Sequence, residues 1–375
     1  MASNKKARVQ DILGLVNAVC PASLAEEWDN VGLQVGDPAS EVARIAIALD
    51  PTEATLDEAI AAGAQMLICH HPLIFKPLQQ ITPNDQTGKL VIRAIREDFA
   101  ILAAHTNLDR AHGGLNDWLA GRLGVETTVP LESPEGLLCK LVVYVPVDHR
   151  EAVASAIFSA GGGQIGNYDQ CSFRTEGVGT FRPGDGTDPY IGDRGKSEEV
   201  PELRLETVVP KDKLGRVVAK MTKAHPYEEV AYDIIPLVNG RPDVGLGRIG
   251  RLEKPATLGR FADGVKQALG ADHVRVVGDA GRLVEKIAVC GGSGASLLAA
   301  AARQGADVLV TGDVKYHDAL IAEALGVALV DAGHFATEII MVEELTELLR
   351  KLTREKGFEI DILPLQGARD PFAIV

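Results

Sequence analysis

Two stretches of this chain share one rhythm: a short apolar run, a polar or histidine-bearing turn, then a helix. In the first, Ala43 to Asp50 (ARIAIALD), Gln65 to His71 (QMLICHH) and a run opening at Ala100 alternate with helical patterns. One helix starts at Thr52, one spans Gly88 to Asp98, and one spans Asn116 to Leu123. In the second stretch, Glu285 to Cys290 (EKIAVC), Asp307 to Val310 (DVLV) and Val327 to Asp331 (VALVD) lead into GGSGAS, TGDVKYHD and GHFATE, each followed by a helix. A last strand covers Phe358 to Leu363. Apolar strands alternating with helices specify an α/β layer on a largely parallel sheet. The reactive side chains fall just past the strands, where open α/β sheets bind ligands.

The middle breaks this rhythm. From about Leu137 it reads strand (LLCKLVVYVP), helix (HREAVASAIFSAGG), strand (CSFRTEGVGTF), loop, strand (LRLETVVP), helix (KDKLGRVVAKMTKA) and strand (YEEVAYDIIPLV). The order βαββαβ is the ferredoxin-like arrangement. The expected fold class is therefore α/β: two similar α/β halves, 1–130 and 246–375, form one module interrupted by a ferredoxin-like inserted domain at 131–245. The loop from Arg182 to Glu199 inside the insert is rich in glycine and charge and reads as mobile.

Charge and composition exclude several function classes. With 38 basic against 52 acidic residues the chain carries −14, which argues against nucleic acid or an anionic membrane as main partner, although a local basic patch can survive that total. No apolar run reaches the ~18 residues of a spanning helix, and the polar start (MASNKKARVQ) lacks a signal-peptide core. The five cysteines are scattered, without a CxxC pair, so neither a disulfide framework nor a structural zinc knuckle is signalled. A cytoplasmic protein is expected.

Four segments concentrate metal-capable side chains. His70 and His71 close a strand before Pro72; strand alternation would point them apart, but a strand end relaxes it, so two imidazoles can serve two neighbouring metals. A paired surface histidine at a turn is the plainer explanation. His105 and Asp109 stand four apart at the next strand end, where an Asn/Asp turn is an ordinary alternative. His334 and Glu338 lie one helical turn apart on one face, and a carboxylate near a helix start also complements the dipole without any metal. Thr311 to Asp318 is either a lining of the same mouth or a capped helix start.

Taken together, His70, His71, Asp109, His334 and Glu338 supply five ligand-type side chains. Imidazole with carboxylate suits zinc, iron or manganese. If Glu338 bridges, the set serves two divalent ions, and ions ~3.5–4 Å apart lower the pKa of a shared water toward neutrality. GGSGAS is a tight turn or a phosphate-binding one, but it is not a full dinucleotide or P-loop motif.

The motifs EEWDNVGLQVGD (Glu26 to Asp37), ICHHPLIF (Ile68 to Phe75), AAHTNLDRAHGGLND (Ala103 to Asp117), TGDVKYHD and DAGHFATE resemble the signatures of the Nif-three-like dinuclear-metal family, often labelled GTP cyclohydrolase 1 type 2 homologues. HPYEEVAYDI (His225 to Ile234) is similar to the PII/CutA-like domain that splits its longer members. The resemblance implies two facing α/β halves with the metals between them, assembled as a homohexamer around an internal cavity. It implies His70 and Asp109 on one metal, His71 and His334 on the other, Glu338 bridging, and His105 as a further ligand or acid/base. The expected function is a metal-dependent hydrolase acting on a nucleotide or related small molecule, with His105 as candidate acid/base. The alternative is a metal-loaded regulatory protein, without turnover, whose insert senses a metabolite.

Overall fold

The structure, a computed structural model, describes residues 6–373. The chain up to Glu132 and the chain from Asp243 onward form one unit, and Ser133–Pro242 form another. The fold is mixed α/β.

The larger unit holds a five-stranded sheet in the order Asp361–Pro364, Arg44–Ala48, Met66–Cys69, Ala100–Ala103, Gly32–Val35. Neighbours are parallel except the last, which runs antiparallel to Ala100–Ala103. The strands MLIC and AILA are buried at every position, as expected of parallel strands covered on both faces. On one face Leu56 and Ala59 of the helix Glu53–Ala61 and Leu90, Val91 and Ala94 of the helix Gln86–Arg96 pack onto Ala46, Leu67 and Ile101.

A six-stranded sheet follows the order Arg275–Val277, Ala328–Asp331, Val308–Thr311, Leu283–Val289, Leu246–Thr257, Val125–Glu132. Its three central strands are parallel; Arg275–Val277 and Leu246–Thr257 flank them antiparallel, and Val125–Glu132 pairs antiparallel with Leu246–Thr257. Core residues here include Ala288, Leu309 and Leu329 with Leu298, Ala301 and Ala322.

The two sheets trade edge strands. Val125–Glu132, from the first stretch of chain, pairs with Leu246–Thr257, while Asp361–Pro364 returns to pair with Arg44–Ala48, placing Ile362 opposite Ile45. The helix Ile340–Glu355 packs on that returning strand and on Arg44–Ala48. Its buried positions Ile340, Met341, Leu345, Thr346, Leu349 and Thr353 follow the spacing of one helical face. The strand near 358–363 therefore belongs to the sheet of the first stretch rather than its own, because pairing is decided by which edge is open and not by local pattern.

One buried cation ties the two stretches together. Arg248 donates to both carboxylate oxygens of Asp117 at 2.7 and 2.9 Å and to the carbonyls of Ala111, Gly245 and Gly247. Its charge is thereby fully hydrogen-bonded, the condition under which a guanidinium tolerates burial.

The unit Ser133–Pro242 has four antiparallel strands in the order Tyr232–Leu237, Leu138–Pro146, Glu198–Pro210, Phe173–Phe181. The helices Arg150–Ser159 and Lys211–Ala224 cover one face, with Val153, Ile157, Val217 and Met221 meeting Leu141, Val143 and Leu205. No described helix is long and apolar enough to cross a membrane.

Candidate metal centre

Strand ends of both sheets in the larger unit deliver their polar residues to one place. Met66–Cys69 ends into His70 and His71, and Ala100–Ala103 ends into His105 and the short helix Thr106–Arg110 that carries Asp109. From the other sheet, Ala328–Asp331 turns through Gly333 into the helix His334–Glu338. All six residues singled out in the sequence meet here.

Glu338 is the hub. Its Oε2 lies 3.1 Å from His71 Nε2 and 3.0 Å from His334 Nε2, while its Oε1 faces His70 Nε2 at 3.8 Å. His70 Nε2 is also 3.6 Å from Asp109 Oδ1, and the Nε2 atoms of His71 and His334 are 3.4 Å apart. The His105 ring stands 5.1 Å from that of His70 and 5.6 Å from that of His71, centroid to centroid.

Every histidine is held by its other nitrogen. Nδ1 of His70 meets the Ala104 carbonyl at 2.8 Å, that of His71 meets Asp50 at 2.7 Å, that of His105 meets Asp29 at 2.9 Å, and that of His334 meets Asp313 at 2.8 Å. An acceptor at Nδ1 holds a proton there and turns Nε2 toward the cluster, so that each ring, once neutral, offers its Nε2 lone pair. Four imidazoles oriented in this way, with His71, His334 and Glu338 in one group and His70, His71 and His105 in another, could hold a metal ion. Asp29 is itself fixed by the backbone and hydroxyl of Thr106. Burial would raise the Asp29 carboxyl, but the hydrogen bonds from His105 and Thr106 outweigh it and lower the pKa to about 2.

Charge is concentrated at the hub. Burial opposes ionisation of Glu338, but the surrounding histidines hold it well below the usual carboxylate range. Burial pushes Asp109 up to about 6, and the nearby Glu338 charge adds to the effect. Burial pushes His71 down, yet Asp50 and Glu338 prevail and raise it to about 10. Hydrogen bonds to Glu338 and Asp313 raise His334 to about 9 despite partial burial.

Three buried atoms here make no well-directed hydrogen bond: His70 Nε2, Asp109 Oδ1 and Glu338 Oε2, the last within ion-pair range of His71 and His334. Unsatisfied buried polar atoms are rare and call for an unplaced water or ion. His70, His71 and His105, and separately His71, His334 and Glu338, present ligand atoms within 4.8 Å of one another. The residues fit a bound metal ion.

The backbone makes room for the carboxylate. Gly292 adopts φ +60°, and a Cβ there would overlap Glu338 Oε1. Its N–H donates to Thr337 Oγ1 at 3.0 Å, and Thr337 donates to the Gly333 carbonyl, tying the turn to the helix. GGSGAS is thus a tight turn against Glu338. Asn116 joins the two sides, donating to the Asp109 carbonyl and accepting from Gly291 N–H, both at 2.9 Å.

The segment Thr311 to Asp318 divides between its two readings. Asp313 positions His334 from the site, whereas Asp318 accepts from the Lys315 N–H at 2.9 Å as a helix cap. Cys69 and Cys290 are buried, with thiols pushed up by burial, and neither joins a described ligand group. Asp50 was missed in the sequence, where it is only the polar end of an apolar run. Trp28 and Phe75, both exposed, stand 5.8 Å apart beside the site, with Trp28 edge-on to His105 at 6.1 Å.

Comparison with known proteins shows the family. The sequence profile of the family described as Duf34/NIF3 (NGG1p interacting factor 3) matches residues 7–371. A protein of Halalkalibacterium halodurans named GTP cyclohydrolase 1 type 2 homolog is 43% identical over 374 residues, 99% of this chain and 100% of its own. One of the same name from Bacillus subtilis is 43% identical over 372 residues, with the same coverage of both chains. The crystal structure of a Bacillus cereus protein related to NIF3 superposes with a TM-score of 0.88 at 43% identity, covering 99% of this chain and 100% of that one.

Proposed function

The chain belongs to the Duf34/NIF3 family, and from that premise we propose that it is a dinuclear metal protein that hydrolyses a nucleotide or a related small molecule. The observation that carries this reading is the trio of buried atoms on His70, Asp109 and Glu338 that make no well-directed hydrogen bond. Two divalent ions, zinc, iron or manganese, would supply Lewis acidity and an activated water. The two oxygens of Glu338 face different histidines, Oε1 toward His70 and Oε2 toward His71 and His334. That division supports a bridging role, with His70 and Asp109 on one side and His71 and His334 on the other.

His105 is the proton carrier in this reading. Asp29 accepts at Nδ1, so the Nε2 atom is the one that takes up or delivers a proton at the cluster. Asp50 and Asp313 keep His71 and His334 oriented. We read the unit 133–242 as the ferredoxin-like, PII/CutA-like insert of the long family form, and the assembly as a cytoplasmic homohexamer with neither nucleic acid nor membrane as main partner. Sedimentation at six times the 39.8 kDa chain mass tests the assembly.

The name carried by the relatives makes GTP the first substrate to try. Wild type and Glu338→Ala, each loaded with zinc, iron(II) or manganese, are offered GTP and other nucleotides while formate and phosphate release are followed. Turnover by wild type that disappears in Glu338→Ala is expected; equal turnover by both overturns the reading. A metal-loaded binding protein without turnover is the second reading, favoured by a cavity in the 133–242 unit that the metal chemistry does not use.

A further inference from the structure

HPYEE (His225 to Glu229) takes no part in the metal centre, yet its side chains are tightly placed. His225 Nε2 donates to the Tyr144 carbonyl at 2.9 Å, and the Tyr227 N–H donates back to His225 Nδ1 at 3.1 Å. The Tyr227 hydroxyl donates to Glu202 Oε1 at 2.9 Å. The Glu228 carboxylate accepts the Asp188 N–H at 3.1 Å, pinning the glycine-rich loop, and His149 Nε2 meets the Tyr190 hydroxyl at 2.9 Å. These contacts converge on a cavity of about 480 Å³ lying wholly within the 133–242 unit.

Its chemistry is one-sided. Among its lining residues, the rings of Phe181 and Tyr227 are 5.7 Å apart at 60°, and those of Tyr190 and Tyr227 are 6.4 Å apart at 50°. Glu202, only 8% exposed, sits on the same wall. Across the strand pair Gly179 is bare, and a Cβ there would overlap the Glu202 carboxylate. Among the described residues no lysine or arginine pairs with Glu202, whose one side-chain donor is a neutral hydroxyl. A buried carboxylate with so little compensation favours a positive partner. Tilted aromatic faces attract the same charge through their quadrupoles. Glu228 and Glu229 against a single Arg182 leave the lining acidic, which disfavours an anion.

We propose that this cavity is a second ligand site, for a small organic cation bearing an ammonium or guanidinium group on an apolar body. The charge rests against Glu202 and the rings of Phe181, Tyr190 and Tyr227, and the apolar body lies along Val178 and Ile191. A cavity of this volume is of the size that encloses a metabolite. The site stands independently of the metal centre, so either reading can fail without the other.

Isothermal titration of the full-length, metal-loaded protein with benzyltrimethylammonium, benzyl alcohol and benzoate tests it. The cation binds at least tenfold tighter than the alcohol or the benzoate. Glu202→Gln, which keeps an acceptor for Tyr227, lowers cation affinity at least tenfold and leaves alcohol binding unchanged. Tyr190→Ala, an exposed loop substitution that spares the core, weakens the cation as well, and both variants bind zinc as wild type does. Absence of cation binding overturns the proposal, as does equal affinity for the alcohol. So does wild-type cation affinity in either variant.

Discussion

Metal uptake at this site should expel protons, and the number follows from the geometry. His71 lies between Asp50 at 2.7 Å and Glu338 at 3.1 Å, and His334 lies between Asp313 at 2.8 Å and Glu338 at 3.0 Å. These carboxylates raise His71 to about 10 and His334 to about 9. The metal-free protein therefore holds both rings as imidazolium at pH 7.5. A metal needs the Nε2 lone pair, so both Nε2 protons must leave. Zinc titrated into chelator-treated protein at pH 7.5, in buffers of differing ionisation enthalpy, should release at least about two protons per chain, since against its burial Asp109 and Glu338 raise His70 as well. Affinity should rise by at least about two log units per pH unit up to about pH 9, and less steeply above it. The metal-free fold should behave oppositely. Both pKa values lie above the ordinary 6.5, so the stability these groups contribute is complete below pH 6.5 and is lost as pH rises through 9 and 10. Release of less than one proton, or a zinc affinity flat from pH 6.5 to 9, would refute the reasoning.

Arg248→Ala should lower stability by about 3–5 kcal/mol, because it removes the buried guanidinium that neutralises Asp117, leaving that carboxylate only the Gly113 N–H and the Thr128 hydroxyl, and takes a donor from three carbonyls. At about 2 °C per kcal/mol for a unit of this size, the melting temperature should fall by roughly 6–10 °C by calorimetry; a shift under 2 °C would show the pair to be dispensable. Asp313→Asn and Asp50→Asn, each removing the charge that orients one histidine, should weaken zinc binding by about 10–100-fold with the fold intact by circular dichroism. Gly292→Ala should cost at least about tenfold in zinc affinity, since the added methyl overlaps Glu338; wild-type affinity in that variant would remove the argument for a carboxylate-shaped turn.

What could be read from the sequence divides along a physical line. MLIC, AILA, VLVT and ALVD are short, largely apolar and bounded by polar turns, and all are fully buried strands. Burial on both faces writes itself into composition, so these were legible. Part of the site was legible for a related reason: in a parallel sheet the carboxyl ends collect on one side, so His70 and His105 had to gather if their strands did, whereas His334 comes from the other sheet. What stayed hidden depends on contacts between distant segments. The carboxylates that orient His71 and His105 lie 21 and 76 residues away, and an aspartate at a strand end looks the same whether or not it faces an imidazole; only Asp313, in a segment already read as a possible lining of the mouth, was in view. Leu246–Thr257 is a twelve-residue strand without a plain apolar run, because charged Arg251, Glu253 and Lys254 interrupt it and Arg248 is buried through its partners rather than its composition. The exchange of Val125–Glu132 for Asp361–Pro364 hides for the same reason, since both strands are compatible with either sheet edge. That exchange bears on the site. With each stretch of chain supplying an edge to the other's sheet, and Arg248 and Asn116 tying across, the strand ends bearing His70 and His334 are held in one framework. A centre whose key carboxylate must reach three histidines from two sheets requires that rigidity, because a loose junction would disperse Nε2 atoms that now lie within 4 Å of Glu338.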